Sequence, residues 1–311
     1  MFLGKFLLID EKIVILRVKV TFAGKKKTYV MTVREELIEI RRRLDGIYDR
    51  REREAVVLLI FSFVKGWSRV DLIINEGKEL SDFTKKEIDG IVDRLILGEP
   101  IQYITGNARF YGMDFKVGPG VLIPRPETEE LVDWIADDSK GTADLTVLDI
   151  GTGSGCIAVS LARTLEFADV RAIDLSQAAI GYAEENAKDL KAKVRFTEAD
   201  MDEWEPDPES LDIVVSNPPY IAPDEIADME VRVKDFEPHE ALFVTADDPI
   251  RPYKRIEEIA RRGLRPGGRV YLELNPRYAE DVAAYYQSKG WNGVEVRLDS
   301  YGKKRFLKGT I

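Results

Sequence analysis

The sequence is poor in metal-binding and disulfide-forming residues: its 311 residues include one cysteine, Cys156, and one histidine, His239. A disulfide requires two cysteines, and a structural zinc site usually requires several Cys or His ligands. We therefore expect no disulfide, no bound metal and a reducing compartment. No base accompanies Cys156 in the sequence, so a packing role is favoured over a nucleophilic one. His239 is interpreted as a surface-loop residue rather than an acid or base.

The sequence also lacks a long apolar run. The longest, residues 55–64, is shorter than the roughly 20 residues that cross a bilayer. Residues 1–16 are apolar, but Asp10 and Glu11 interrupt them and no small-residue cleavage site follows, so a signal peptide is not indicated. We predict a cytoplasmic protein with no membrane partner.

An excess of positive charge is absent as well. Lys plus Arg number 46 and Asp plus Glu number 56, which gives a formal net charge of −10. Net charge therefore supplies no general attraction to nucleic acid phosphate, and we predict no stable nucleic acid partner. The basic run at residues 41–43 is either a solvated helix face or a contact for an acidic partner, and the solvated face is favoured.

The first 99 residues divide into two segments. Residues 1–30 are interpreted as an N-terminal extension, either translated upstream of a natural initiator at Met31 or attached loosely as a hairpin. Residues 31–99 are predicted to form a helical domain, with a helix start at Ser81 and a stop at Gly98. The apolar residues at helical spacing in this segment are Leu37, Ile40, Leu44, Ile47, Ile88, Ile91 and Leu95.

Beyond residue 99 the pattern changes twice. Residues 100–125 are predicted to be a linker, in which the β-prone, glycine-punctuated residues 101–121 form a hairpin. In residues 126–311, short β-rich runs alternate with helical stretches, which is typical of a parallel sheet wound by helices. The predicted strands are residues 146–150, 170–174, 194–197, 213–216, 270–274, 294–298 and 305–308.

The end of the chain distinguishes between two versions of this α/β fold. The last two predicted strands are joined only by residues 299–304, a link so short that the strands must pair antiparallel. A doubly wound sheet that ends in one antiparallel hairpin matches the Rossmann-like class I methyltransferase sheet better than the dehydrogenase sheet.

A glycine-rich turn follows the first strand of this sheet and precedes a helix. It comprises Gly151, Thr152, Gly153, Ser154 and Gly155. Glycine lets the backbone approach a ligand closely, and a helix N-terminus offers free N–H groups to an anion. The anion is a pyrophosphate in a dinucleotide enzyme and the methionyl carboxylate in a methyltransferase. Asp174, which closes the second strand, is placed to accept hydrogen bonds from ribose hydroxyls in both classes.

Asp200 and Met201 follow the third strand. Either Asp200 holds the adenine amino group while Met201 lies against the ring, or the pair is a surface turn acid and a core methionine. The glycine turn and Asp174 favour the first alternative.

A catalytic loop is indicated at the end of the fourth strand, in the sequence Asn217, Pro218, Pro219 and Tyr220. The fourth strand of such a sheet lies beside the first, so the loop faces the same crevice as the glycine turn. The prolines lack N–H donors, which leaves carbonyl acceptors. An amide nitrogen is a poor nucleophile because its lone pair is delocalised. The Asn217 side-chain oxygen and the Pro218 carbonyl can each accept one of its hydrogens and aim it at a methyl sulfonium, while Tyr220 covers the flat group.

Together these motifs resemble the release-factor glutamine methyltransferases, the HemK/PrmC family. Further matches lie at residues 98–106, 122–129, 236–238 and 241–242, and the likeness spans roughly residues 33–309. The resemblance implies methylation of the side-chain amide nitrogen, N5, of the glutamine in the Gly-Gly-Gln motif of class I peptide chain release factors. It also implies S-adenosylmethionine as the donor and a helical domain that grips the release factor.

The resemblance assigns roles to the motif residues. Asn217, Pro218 and Tyr220 are catalytic, and together with Pro219 they bind the substrate glutamine. The expected cofactor residues are Gly151, Thr152, Gly153, Ser154, Gly155, Asp174, Asp200, Met201 and Asn217. Residues 123–129 either shape the cofactor pocket or hold an ion pair between Arg125 and Glu127.

Two other function classes fit part of the pattern. An adenine-N6 DNA methyltransferase meets the same planar-nitrogen problem with a similar loop, but it also needs a basic track and a DNA-reading domain, neither of which is visible in the sequence. A noncatalytic binding module with the same fold needs neither Asn217 nor the complete glycine turn, and the sequence keeps both.

Overall fold

The computed structural model describes residues 31–229 and 231–311. The predicted extension at residues 1–30 lies outside these residues. The first described segment is helical, as predicted for it. Its helices are α1 (Val33–Arg43), α2 (Arg50–Lys65), α3 (Arg69–Ile74), α4 (Asp82–Ile96) and α5 (Ile101–Thr105).

Local capping and an apolar stripe explain these helices. The Ser81 hydroxyl accepts a hydrogen bond from the Thr84 N–H at 3.1 Å, which confirms the predicted start of α4. Most of the predicted apolar positions are buried in one core cluster of this region. Ile47 is the exception and is 38% exposed, because α1 ends at Arg43 and Ile47 lies in the turn that follows.

The basic run at residues 41–43 is neutralised within the helical region. Each arginine forms an ion pair with an acid of the same region: Arg41 with Glu54, Arg42 with Glu39 and Arg43 with Asp89. The side chains of Arg41 and Arg42 are exposed, whereas that of Arg43 is 19% exposed. The expectation of a solvated face therefore holds for the first two arginines.

The hairpin between the helical region and the large sheet is shorter than predicted. It consists of β1 (Asn107–Phe110) and β2 (Met113–Lys116), which pair antiparallel. The expectation that the hairpin begins at residue 101 is wrong, because residues 101–105 form α5 and two of its apolar side chains, Ile101 and Ile104, pack into the helical core. The domain boundaries at residues 99 and 125 stay predictions.

The large sheet has the predicted Rossmann-like form. Its strands are β3 (Thr146–Ile150), β4 (Asp169–Asp174), β5 (Val194–Glu198), β6 (Leu211–Ser216), β7 (Leu264–Glu273), β8 (Asn292–Leu298) and β9 (Lys304–Thr310). Their order is β5-β4-β3-β6-β7-β9-β8. Strands β3 to β7 are parallel, and β9 runs antiparallel to both of its neighbours, which confirms the predicted terminal hairpin.

Helices cover both faces of this sheet. They are α6 (Pro126–Asp138), α7 (Cys156–Thr164), α8 (Gln177–Asp189), α10 (Arg251–Gly263) and α11 (Ala279–Ser288). A further short helix, α9 (Val231–Phe236), precedes α10 in the chain. Successive β3 residues point to opposite faces: Val147 packs in the cluster that contains α6 and α7, and Leu148 in the cluster that contains α10 and α11. Burial on both faces accounts for the apolar strands.

The sheet order places the two functional loops side by side. Ile150 on β3 pairs in register with Ser216 on β6, so Gly151 and Asn217 leave neighbouring strand ends. Ser216 in turn pairs with Leu272 on β7. The carboxyl edges of β3, β6 and β7 therefore meet at one place, as expected for the ligand crevice of an open α/β sheet. Within residues 31–229 and 231–311, no helix is both long and apolar enough to cross a membrane.

One glycine of the turn is required by close packing. A Cβ on Gly155 would lie 3.0 Å from the Cβ of Ala183 on α8, and the glycine φ is +79°. The exposed Gly141 has a φ of +77°, but a Cβ added there would meet nothing within 4 Å. The two positions share the left-handed conformation and differ in packing.

We expect Gly141→Ala to cost about 1–2 kcal/mol of unfolding free energy, from the left-handed backbone alone. Gly155→Ala should cost about 2–5 kcal/mol, because overpacking against Ala183 adds to the same backbone penalty. Urea denaturation of both variants measures the difference. Equal losses would show that the contact between α7 and α8 is not tight.

Candidate functional site

A cavity of about 630 Å³ opens at the carboxyl edge of the sheet. Of the predicted cofactor residues, those that line it are Gly151, Thr152, Gly153, Ser154, Asp174, Asp200, Met201 and Asn217. Pro219 also lines the cavity. The structure therefore brings the glycine turn, the end of β4 and the Asn-Pro-Pro-Tyr loop to one enclosed space, large enough for a small-molecule ligand.

Backbone hydrogen bonds hold the glycine turn against the end of β4. The N–H groups of Gly151 and Thr152 both donate to the Ile173 carbonyl, at 2.9 and 3.1 Å. The Gly153 N–H donates to the Asp174 carboxylate at 2.8 Å. Gly151 and Gly153 have φ values of +72° and +56°, which glycine adopts without strain. Contacts within the protein thus fix the shape of the turn.

Asp174 holds two loops and still offers acceptors to the cavity. One carboxylate oxygen accepts the Gly153 N–H and the other accepts the Ser176 N–H at 2.9 Å. Each carboxylate oxygen can accept more than one hydrogen bond, so acceptor capacity remains for hydroxyl donors. Burial raises the pKa of Asp174, and the two backbone N–H groups oppose this effect by stabilising the ionised form.

Asp149 supports the turn from behind and was missed from the sequence. It is fully buried on β3, and its Oδ2 accepts the Thr152 hydroxyl at 2.7 Å and the Ala158 N–H at 3.2 Å. It therefore caps α7, whose own N-cap is Gly155 and has no side-chain cap. Its Oδ1 has no partner among the described residues, and burial raises the pKa of Asp149 to about 7. The signal for it was an acid inside an otherwise apolar strand.

Gly155, the last glycine of the turn, and the following Cys156 both pack against neighbouring elements. Gly155 does not line the cavity: its Cα faces Ala183, and its N–H donates to the Thr152 carbonyl at 2.9 Å. Cys156 packs against the core cluster of α6 and α7, and burial raises the pKa of its thiol to about 12. Cys156 also lines the cavity, but the raised pKa disfavours the thiolate and so supports the packing interpretation over the nucleophilic one.

Asp200 and Met201, which follow β5, both line the cavity. Asp200 Oδ1 accepts the N–H of Asp202 at 2.8 Å, so the acid does shape a turn, but it also lines the cavity. Met201 is partly buried against the apolar cluster of α10 and α11, and its carbonyl accepts a hydrogen bond from Arg255 at 2.8 Å. Asp200 therefore both shapes a turn and lines the cavity, and Met201 both packs in the core and lines the cavity, although the sequence presented these roles as alternatives.

The Asn-Pro-Pro-Tyr loop presents unpaired acceptors. The Asn217 amide nitrogen lies 3.5 Å from the Thr128 hydroxyl oxygen. No donor in residues 31–229 or 231–311 bonds to the Asn217 Oδ1 or to the Pro218 carbonyl. The Pro218 ring is buried and does not line the cavity. Asn217 is therefore held through its donor side while its oxygen stays available.

Tyr220 is held by contacts on the side of β7. Its hydroxyl donates to Glu273 at 3.2 Å, and its carbonyl accepts a hydrogen bond from the Asn275 amide at 2.9 Å. Burial raises the pKa of Tyr220 above the usual range of a phenol, and the negative charge of Glu273 adds to this effect. Tyr220 does not line the cavity. Glu273 accepts a 2.6 Å hydrogen bond from Thr128, which belongs to the run at residues 123–129 that was expected to shape the pocket, whereas Glu273 was missed from the sequence.

The segment before α6 is tied to the segment after α9. Arg125 forms an ion pair with Glu237 at 2.6 Å, and the second oxygen of Glu237 accepts the Ile123 N–H at 3.1 Å. The alternative of an ion pair between Arg125 and Glu127 is therefore wrong, because the buried Glu237 occupies the guanidinium. Arg125 lines the cavity, as the other alternative expected.

The remaining candidate groups lie outside the chemistry of the cavity. His239 is exposed, and its ring nitrogen contacts the Lys234 carbonyl at 2.9 Å, which confirms the surface interpretation. No group of three or more His, Cys, Asp or Glu side chains arranged to hold a metal occurs in the part of the chain that the structure describes.

Strand β9 lies antiparallel between β7 and β8, and Asn217, whose Oδ1 has no donor among the described residues, lines the cavity, so the site suits transfer of a methyl group to a nitrogen better than transfer of a hydride. These features define the class of S-adenosylmethionine-dependent methyltransferases. A model described as "Methyltransferase domain" matches residues 147–233, and one described as "PrmC N-terminal domain" matches residues 35–106.

Relatives of known name specify the family. The chain is 44% identical to release factor glutamine methyltransferase of Bacteroides thetaiotaomicron over 86% of this chain and 96% of that protein. It is 36% identical to the enzyme of that name in Flavobacterium psychrophilum, over 85% and 94% of the two chains. A solved protein-(glutamine-N5) methyltransferase from Alicyclobacillus acidocaldarius is 30% identical, with a TM-score of 0.38 and coverage of 63% of this chain and 98% of that chain. On the sequence relatives, the chain belongs to the release factor glutamine methyltransferase family.

The buried Asp149 makes stability depend on pH. Its pKa is about 7 in the folded protein and 3.8 as the reference value, so the folded state binds more protons between these values. The contribution of Asp149 to the unfolding free energy therefore falls as pH rises. Relative to Asp149→Asn, the wild type should lose about 2.5 kcal/mol between pH 5 and pH 7.5, as measured by urea denaturation. Asp207→Asn, at an exposed aspartate, is the control. A constant difference between wild type and Asp149→Asn would contradict the raised pKa.

Proposed function

We propose that this protein methylates the side-chain amide nitrogen, N5, of the glutamine in the Gly-Gly-Gln motif of class I peptide chain release factors, in the cytoplasm. Supporting this proposal are the family membership and one observation: Asn217 lines the cavity together with the glycine turn, and neither its Oδ1 nor the adjacent Pro218 carbonyl accepts a hydrogen bond from the described residues. Two fixed acceptors suit the two hydrogens of a primary amide.

The cavity fits S-adenosylmethionine. Close to the glycine turn, the start of α7 offers N–H groups and a positive dipole end to the methionyl carboxylate. Asp174 offers acceptors to the ribose, and Asp200 and Met201 lie where an adenine would end. When bound, the cofactor supplies an electrophilic methyl group on a sulfonium.

Asn217 and Pro218 orient the amide of the substrate glutamine. A glutamine amide is planar, and its nitrogen lone pair is delocalised into the carbonyl. Hydrogen bonds from its two N–H groups to Asn217 Oδ1 and the Pro218 carbonyl hold the nitrogen at the cavity and favour the pyramidal geometry that bond formation requires. The nitrogen lone pair would form the bond to the methyl carbon as the bond from that carbon to sulfur breaks, which would leave a neutral thioether. The nitrogen would then lose one proton to water, because that proton has become acidic, so no general base of matched pKa is needed at the start.

The helical region is proposed to grip the release factor. Large exposed apolar side chains are frequent there, and α2 carries Leu59 and Phe63 on one face, 45% and 50% exposed. The helical region also contacts α9, which follows the catalytic loop in the chain: Glu52 of α2 pairs with Arg232 of α9 at 2.8 Å, and the Arg232 guanidinium lies 4.4 Å from the Tyr48 ring centroid. A protein partner on α2 would therefore lie near the segment that follows the catalytic loop.

Asn217→Ala tests the chemistry. We expect kcat for release factor methylation to fall by about 10²- to 10³-fold, because one fixed acceptor is lost, while S-adenosylmethionine affinity measured by calorimetry changes little. Mass spectrometry of the factor after incubation locates the added methyl group. Asn292→Ala, at an exposed asparagine of β8, is the matched control.

Two outcomes would contradict the proposal. The first is turnover in Asn217→Ala that equals that of the wild type. The second is methylation of adenine in a DNA duplex by the wild type, with no methylation of the release factor, which would favour the adenine-N6 alternative.

A second prediction concerns the helical region. Replacing Leu59 and Phe63 together by serine should raise KM for the intact factor by about 10-fold, because two apolar contacts are lost, and should leave kcat unchanged. Phe167→Ser is the control: Phe167 is 76% exposed and precedes β4, at the edge of the sheet opposite the cavity. An unchanged KM in the double variant would remove this face of α2 from the substrate contact.

A further inference from the structure

We propose that Glu273 is a positioning residue that sets the orientation of the Asn217 side chain through the hydroxyl of Thr128. The inference rests on the proposed function and deepens it, because it names the group that decides which atom of the Asn217 amide faces the substrate.

Glu273 lies directly behind the catalytic loop. It is the last residue of β7, and its predecessor Leu272 pairs in register with Ser216, the residue before Asn217. Glu273 is 1% exposed, and its Oε2 accepts a hydrogen bond from the Thr128 hydroxyl at 2.6 Å. Thr128 is itself 2% exposed, lies in the first turn of α6 and lines the cavity. A buried carboxylate is thus linked to the cavity wall by one hydroxyl group.

The Thr128 hydroxyl has a single proton, and the group that receives it fixes the direction of the hydrogen bonds that link Glu273, Thr128 and Asn217. A carboxylate oxygen only accepts, so at 2.6 Å the Thr128 proton is committed to Glu273. Only lone pairs of the Thr128 oxygen then remain for Asn217, 3.5 Å away, so the NH₂ group of the Asn217 amide must face Thr128. The Asn217 oxygen consequently faces the substrate. Catalytic hydrogen bonds of this kind are often long before substrate binds and shorten in the complex.

A carboxylate is required at position 273, rather than an amide, because the second oxygen of Glu273 also accepts a hydrogen bond. It accepts the Tyr220 hydroxyl at 3.2 Å, so both oxygens act as acceptors. A glutamine at this position has one acceptor and one donor, so either Thr128 or Tyr220 must reverse its hydrogen bond. Reversal at Thr128 directs its proton to Asn217 and turns the amide, which then presents its own NH₂ to the NH₂ of the substrate. In Glu273→Gln, a smaller fraction of the molecules then holds the Asn217 oxygen toward the substrate, although the shape of the site is unchanged.

The test is a double-mutant cycle on purified enzyme with a release factor as substrate. Glu273→Gln and Thr128→Val should each lower kcat by about 10- to 100-fold, with KM for the factor and the Kd of S-adenosylmethionine near the wild-type values. Thr128→Ser keeps the hydroxyl and should restore most of the turnover lost in Thr128→Val. Because both residues act through the same series of hydrogen bonds, the double variant Glu273→Gln with Thr128→Val should lose no more kcat than Thr128→Val alone.

Glu257→Gln provides the matched control. Glu257 is also a buried glutamate of this domain, 2% exposed on α10, and it accepts a hydrogen bond from the Trp291 indole at 2.9 Å. It does not line the cavity. Its replacement should lower the melting temperature while kcat of the folded enzyme stays at the wild-type value, which separates a structural role of buried carboxylates from positioning.

Wild-type turnover in Glu273→Gln, or losses that multiply in the double variant, would overturn the inference. If Glu273→Gln does not fold, the comparison of Thr128→Val with Thr128→Ser tests the inference. Equal kcat values in these two variants would show that the hydroxyl does not orient Asn217. Failure of the proposed function is distinguishable, because the wild type itself would then leave the factor unmodified.

Discussion

Parallel pairing of β3 with β6 is the constraint on which both parts of the site depend. Ile150 and Ser216 end these strands in register, and the buried Ser216 hydroxyl donates to the Ile150 carbonyl at 2.7 Å, which ties the two ends together. Neighbouring strands lie about 4.8 Å apart, so the glycine turn and the Asn217 loop begin within one side-chain length of each other. A cofactor held by the first loop can therefore present its reactive group to a nitrogen held by the second.

Each loop is also fixed from behind by a buried carboxylate. Asp149 orders the glycine turn through Thr152, and Glu273 contacts Thr128 and Tyr220 behind the catalytic loop. Burial raises the pKa of both acids, which means that their ionised forms cost folding free energy. For Glu273 the positive charge of Arg305 opposes this cost. Because burying these two acids costs folding free energy and both contact loops of the site, their presence is better explained by a role in orienting the loops than by a contribution to stability.

Features encoded by local sequence could be predicted, and features made by distant residues could not. The strands, the turn and the terminal hairpin follow from apolar runs, glycine spacing and a link too short for a crossover. The contacts of Thr128 with Glu273 and of Arg125 with Glu237 join residues 145 and 112 positions apart, and no local pattern indicates which acid a given hydroxyl or guanidinium will meet. The α5 helix was missed because its five residues give too little periodicity, and burial against the helical core decided its form.

The proposed mechanism needs no matched base at the start, and this changes what the protein must do well. Burial raises the pKa of the Cys156 thiol, His239 is exposed and Asp149 does not line the cavity, so none of these three groups is suited to remove a proton before methyl transfer. The rate must then come from fixed dipoles that hold one nitrogen in one orientation, and such dipoles help only if their direction is certain. An asparagine amide is nearly symmetric in shape but opposite in polarity at its two ends. A shape-based pocket cannot distinguish those ends, whereas a chain of hydrogen bonds that ends on a carboxylate can.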